Sequence, residues 1–157
     1  MKILIVYYSR TSRNKRLCSE LQASLHCDIE EIIDKANRHG IINYLFAGRD
    51  AFLKRTTSIA IPKKDPGRYD LVIIGTPIWS VNITPAVRTY LRDYRHKLKK
   101  LAVVSLSGMG PAGKRILTEV EAVAGIKPIA SLLVAEREYH QGSYKNKVSD
   151  FIQTITK

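Results

Sequence analysis

The segment Ser9-Arg10-Thr11-Ser12-Arg13-Asn14 carries three hydroxyls, one carboxamide and two guanidinium groups in consecutive positions. That set suits an anion: hydroxyls and amides donate to phosphate oxygens, and guanidinium groups make the stronger charge-assisted bonds. An apolar run precedes it, and Leu17, Leu21 and Leu25 follow at helical spacing. It therefore lies at a helix N-terminus, where free N–H groups and the helix dipole favour a phosphate. The plainer alternative is a strand-to-helix loop in which Ser or Asn caps the helix. A second segment, Gly75-Thr76-Pro77-Ile78-Trp79-Ser80-Val81-Asn82, holds the chain's single Trp. Placed after a buried strand, the indole face suits stacking on a planar ligand, a contact of roughly 0.5–1.5 kcal/mol beyond area burial; the alternative is a Trp folded back over the core. A third, Ser107-Gly108-Met109-Gly110-Pro111, is glycine-rich, which lets backbone N–H groups approach a ligand closely or simply makes a loose turn.

All three segments follow strand-like runs. Lys2–Tyr8, Leu71–Ile74 and Leu101–Leu106 are continuous apolar stretches rich in β-branched residues, as expected of strands buried on both faces. Cys27–Ile33 and Pro128–Ala135 read as further strands. Helices are expected over about residues 14–26, from Pro85 with Val87, Leu91 and Tyr94 inward, from Ile116 to a stop at Gly125, and over roughly 143–156 with Val148, Phe151, Ile152 and Ile155 inward. Between Lys35 and Ile61 the spacing of Ile42, Leu45, Phe46, Phe52 and Leu53 suggests one or two short core-facing helices broken near Gly48. Strand and helix alternate throughout, which predicts an α/β fold: a parallel sheet with helices on both faces. At 157 residues the chain reads as one domain over positions 1–157. In such sheets ligands bind beyond the carboxyl ends of the strands, where all three segments lie.

The formal charge is +12, from 26 Lys and Arg against 14 Asp and Glu. Such a surface attracts anionic partners. No apolar run approaches the roughly 20 residues of a membrane span. The run Ile3–Tyr8 is too short for a secretory leader, and Cys18 and Cys27 read as reduced thiols, so a cytoplasmic location is expected. Gly108 to Lys114 matches G-x-x-x-x-G-K, but Arg115 stands where a P-loop needs Ser or Thr for Mg²⁺. There is no G-x-S-x-G nucleophile elbow, no metal-ligand spacing of His, Cys and carboxylates, and no recognised nucleic-acid motif.

KILIVYYSRTSRN resembles the opening of flavodoxin-like proteins, and YDLVIIGTPIWSVNITPAVRTYL, residues 69–91, is closely similar to the segment these proteins carry around the flavin ring. INYLFAGRDAFLKR also looks like the middle of small prokaryotic members, so the likeness covers the whole length. The resemblance implies a doubly wound five-stranded parallel sheet of order 2-1-3-4-5 that binds FMN. Carried over by position, Ser9, Thr11 and Asn14 would hold the FMN phosphate with the backbone N–H groups of residues 10–14, which brings Arg10, Ser12 and Arg13 into the same cradle. Thr76, Pro77, Ile78, Trp79 and Ser80 would line one side of the isoalloxazine, and Ser107, Gly108, Met109 and Gly110 the other. The family pattern has Gly-Asn-Thr where this chain has Ser12-Arg13-Asn14, and Ala-Gly where it has Ser80-Val81. If the first glycine position needs φ > 0, Ser12 costs on the order of 1 kcal/mol there, with Arg10 and Arg13 available to compensate; Val81 would crowd the ring near N5. The function implied is electron transfer or FMN-dependent reduction of quinones or similar acceptors. The partners implied are an acidic redox protein such as a ferredoxin, or NAD(P)H with a small acceptor. The alternative is a flavin-free module of the same fold that binds an acidic protein or nucleic acid through its basic surface.

Overall fold

The computed structural model describes residues 1–36, 49–79, 81–107 and 113–157. Five parallel strands form the main sheet: β1 (Ile3–Tyr7), β2 (Asp28–Glu31), β3 (Leu71–Gly75), β6 (Leu101–Ser107) and β7 (Ala130–Ala135). Their order is β2-β1-β3-β6-β7, the 2-1-3-4-5 arrangement expected of the parallel strands. Register runs through Ile5, opposite Ile29 on one side and Ile73 on the other. The chain leaves β1 toward β2 on one side and later returns to β3 on the other, so the order reverses at the β1/β3 boundary, the place beyond whose strand ends ligands bind in open α/β sheets. A separate two-stranded hairpin, β4 (Ile78–Trp79) and β5 (Asn82–Ile83), sits between β3 and the next helix.

Alternate residues of the buried strands feed two cores. Ile3, Ile5 and Tyr7 pack with α1 (Arg13–Leu25) and the C-terminal helix, through Leu17, Leu21, Phe151 and Ile155. Leu4, Val6 and Tyr8 face the other way, onto α2 (Pro85–Tyr94) and α3 (Gly113–Ala124), through Val87, Leu91, Ile116 and Val120. Each such apolar side chain, fully buried, contributes roughly 1.5–3 kcal/mol, so both layers are needed to hold the sheet. A short helix, α4 (Glu136–Gln141), precedes the closing α5 (Lys145–Thr156). Gly125, at φ 75°, ends α3 as expected. Gly75 ends β3 where a Cβ would come within 2.5 Å of Cys18 Sγ and 2.7 Å of Tyr7 Cβ, so only glycine lets this strand end pack onto α1.

Of residues 35–61, the structure describes 35–36 and 49–61, and there the expected inward side chains differ. Ile42, Leu45, Phe46 and Gly48 lie outside the described residues. Residues 49–52 close a helical turn, but Phe52 and Leu53, expected inward, are 65% and 49% exposed. Ile59 instead reaches the core from an extended segment that bridges Asp34 antiparallel. Helical spacing over so few residues does not distinguish a core face from a solvated one. Among the described residues no helix is long and apolar enough to cross a membrane, and no cluster of His, Cys, Asp and Glu could hold a metal.

Candidate functional site

The loop after β1 lies where the sheet order reverses. Its last residue, Ser12, adopts a left-handed conformation at φ 61° and starts α1, its carbonyl accepting from the Arg16 N–H at 3.0 Å. The Ser12 side chain makes no capping bond, and the first turn of α1 contains no acidic residue. The N-terminus of a 13-residue helix thus keeps its N–H groups uncapped by Ser12, and its own first turn places no carboxylate at the positive end of the dipole. Beside it, Ser9 Oγ is buried and has no hydrogen-bond partner among the described residues. A buried hydroxyl without a partner is costly, and one at an uncapped helix end suits an anion. The alternative of Ser or Asn capping the helix is not what Ser12 does.

Asn14 is buried, and its side chain is turned to the sheet. Its Nδ2 donates to the Leu106 carbonyl at 3.1 Å, and its Oδ1 accepts from the Leu106 N–H at 3.0 Å. The carboxamide behaves as one more strand residue added to the end of β6, and so ties the start of α1 to that strand end. Arg13, expected to face an anion, is ion-paired with Glu136 of α4. Thr11 is exposed and Arg10 half-buried.

The second loop is the hairpin. Thr76 is fully buried; its N–H donates to the Val104 carbonyl, and its hydroxyl donates to the Pro77 carbonyl, both at 2.9 Å. Ile78 pairs with Ile83 and Trp79 with Asn82. Trp79 is half-buried and meets the buried Tyr8 edge-to-face, with ring centroids 5.6 Å apart and planes at 80°. One edge of the indole is anchored by Tyr8 while part of it stays exposed, so the two readings of Trp79, ligand platform and core cover, are combined. Val81 sits at φ 63°, rare for a β-branched residue. Of the expected third loop, Ser107 ends β6; Gly108, Met109 and Gly110 lie outside the described residues, as does Ser80.

Under the hairpin is a polar cluster that motif reading missed. Glu119 of α3 accepts the Ile83 N–H at 2.8 Å and pairs with Arg88 of α2. Arg115 reaches Asn82 Oδ1 at 3.4 Å. A signal was available: Glu119 stands three residues after Ile116 and next to Val120, within the apolar stripe of its helix, and Arg88 stands next to Val87 in the same way. The thiols take no part in this chemistry. Cys18 is fully buried against the sheet, and burial pushes its thiol up to about 12.

No family model matches the chain, and no curated protein matches it. Solved structures do. A flavoprotein from Lactobacillus acidophilus, determined in complex with FMN, matches at 21% identity and TM-score 0.73, over 90% of this chain and 98% of that one. Oxidised flavodoxin 1 from Bacillus cereus matches at 14% identity and TM-score 0.54, over 98% of each. Two-electron reduced flavodoxin from Megasphaera elsdenii matches at 17% identity and TM-score 0.53, over 84% and 85%. The chain has the flavodoxin-like fold. In a flavodoxin-like sheet the crevice beyond β1 and β3 is the ligand edge. The loop before α1 and the β4–β5 hairpin both border it, and the Asn14–Leu106 bonds bring the end of β6 to the same place.

Proposed function

We propose that this flavodoxin-like protein binds FMN and works as a redox protein. The observation that carries this reading is the buried, unpartnered Ser9 hydroxyl beside the uncapped N-terminus of α1, a donor set that fits a phosphate. The FMN named with the L. acidophilus relative supports it. Ser9, Thr11 and the backbone N–H groups of residues 10–14 hold the phosphate. Thr76 to Trp79 line one side of the ring, and Ser107, at the end of β6, stands toward the other. Asn14 acts through its grip on Leu106, and Arg13 through its pair with Glu136, which anchors the loop to α4. Bound FMN supplies one- and two-electron chemistry; the chain supplies binding, orientation and the electrostatic setting.

The chain serves either as an electron carrier or as an NAD(P)H-dependent reductase of quinones or similar acceptors. Its +12 charge steers an acidic redox partner of the ferredoxin type, an effect that fades with salt. Electron transfer insensitive to ionic strength would remove the steering. Anaerobic mixing with NADPH separates the carrier, whose flavin stays oxidised, from the reductase, whose flavin bleaches.

The decisive experiment is titration of apoprotein with FMN and with riboflavin. Ser9→Ala removes one bond to a charged acceptor, worth about 1.5–3 kcal/mol, and should weaken FMN about tenfold or more while leaving riboflavin unchanged. Equal losses for the two ligands would take Ser9 away from the phosphate. Absence of any FMN binding by the wild-type protein would overturn the reading and leave the flavin-free, polyanion-binding module.

A further inference from the structure

The polar cluster beneath the β4–β5 hairpin does not fit a purely stabilising role. Arg88 and Glu119 are an ion pair with side-chain exposures of 7% and 6%. Taking two charges out of water costs more than their attraction commonly returns, and a well-packed apolar pair is often equally stable. Here one polar atom, Arg88 Nε, is also buried without a partner among the described residues, which adds to the cost. Such a pair is better explained by what it holds in place. Glu119 spends its second oxygen on the Ile83 N–H, and Arg115 of the same helix reaches Asn82. Arg88 lies one turn into α2, whose N-cap Thr84 follows Ile83 directly; the Arg88 N–H donates to the Thr84 carbonyl at 2.9 Å. Both residues of β5 and the start of α2 are therefore fastened to α3.

What is fastened is strained. Two residues separate Trp79 from its partner Asn82, and the second of them, Val81, is held at φ 63°. Tight hairpins demand positive φ and normally meet the demand with Gly or Asn. A β-branched residue stays there only when its surroundings over-determine the backbone. We propose that Glu119 and Arg88 are positioning residues for Trp79: from beneath, they hold the hairpin in a conformation that Val81 disfavours. The hold exists in the apoprotein; its consequence for FMN rests on the function proposed above.

Because Trp79 is the single Trp, its fluorescence reports the hairpin alone. Gln at 119 offers one acceptor where Glu has two, so either Arg88 or Ile83 is released. In apoprotein, Glu119→Gln should raise the acrylamide quenching constant of Trp79 about twofold. Adding Val81→Asn, which tolerates positive φ, should return it toward the wild-type value. Ile155→Val, in the core on the other face of the sheet, serves as control: it lowers stability and leaves the quenching unchanged. Should Glu119→Gln fail to fold, Arg115→Ala, at an exposed position, removes one bond to Asn82 and should give a smaller rise. Unchanged quenching in the Glu119 or Arg115 variant, an equal rise in the Ile155→Val control, or no recovery in the double variant overturns the proposal. With FMN, Glu119→Gln should weaken binding about tenfold. Failure of the wild type to bind FMN removes the functional reading and leaves the quenching test of the clamp intact.

Discussion

Asn14 separates two accounts of the first loop. If its carboxamide served the phosphate, Asn14→Ala would weaken FMN and leave the apoprotein as stable as before. The structure instead gives both bonds of that side chain to Leu106, at 3.1 and 3.0 Å, in a buried position. Alanine removes both partners at once and leaves one backbone donor and one acceptor unpaired. Each such group costs about 1–3 kcal/mol when buried. The site lies at the sheet edge, where water can enter the space left behind, so we expect a total of about 2–4 kcal/mol. Against a total stability of about 5–15 kcal/mol, that is a large fraction. With a urea slope near about 2 kcal/mol per molar, the midpoint of apoprotein unfolding should fall by about 1–2 M. Asn14→Asp keeps an acceptor for the Leu106 N–H and turns a second oxygen toward the Leu106 carbonyl, so its loss should be intermediate, softened by the dipole of α1. A loss below about 0.5 kcal/mol in Asn14→Ala, the ordinary range of surface changes, would refute the clamp and return Asn14 to the ligand.

Ser12→Gly relieves a left-handed serine and should stabilise the apoprotein by about 0.5–1 kcal/mol, the residual after the added chain entropy of glycine; a fall in the urea midpoint would contradict it. A thiol reagent at neutral pH should modify Cys27, which is half-buried, while Cys18 stays protected until the chain unfolds; equal rates for both would show that the α1 packing opens readily. Stability should also fall at both ends of the pH range. Hydrogen bonds from Tyr69 to Asp28, from Lys97 to Asp65, from the Lys2 N–H to Asp70 and from Lys147 to Glu138 hold these carboxyls below their ordinary range. Their contribution is complete above about pH 4 and is lost as the pH drops through the lower folded values. Tyr69 is pushed up to about 12 mainly by burial, and Tyr144 to about 12 mainly by its bond to Glu20. Their contribution is complete below about pH 10 and is lost as the pH rises past it toward the folded values. Tyr69→Phe and Tyr144→Phe should flatten the alkaline limb of the urea midpoint against pH; an unchanged limb would assign it to other groups.

The three inner strands were legible because burial on both faces forces continuous apolar runs, and Lys2–Tyr8 became Ile3–Tyr7 with little shift; the edge strand β2, half-buried throughout as Asp28–Glu31, carries no such run. The hairpin was not legible. Strands of two residues have no periodicity to read, and β5 is held by a carboxylate 36 residues downstream of the Ile83 it binds. The Asn14 clamp was hidden for the same reason, since Leu106 lies 92 residues away. Residue type pointed correctly to hydrogen bonding but did not name Leu106 as the partner.

Ser12 and Val81 show what those hidden contacts accomplish. Each stands where the flavodoxin-like pattern has glycine, and each keeps the positive φ that glycine would adopt freely, at 61° and 63°. A backbone held against its own preference is held by neighbours. For Ser12 these are the Arg16 N–H on its carbonyl and, two positions on, the Asn14 grip on β6. For Val81 they are the Trp79–Asn82 pair and the Glu119 bond to Ile83. The loop trace is thus imposed from outside the loops. It follows that substitutions at Asn14 and Glu119, whose side chains bond Leu106, Ile83 and Arg88, should disturb the site more than substitution of the exposed Thr11 within it. A Thr11→Ala variant that weakened FMN more than Glu119→Gln does would show that the loops hold their shape unaided.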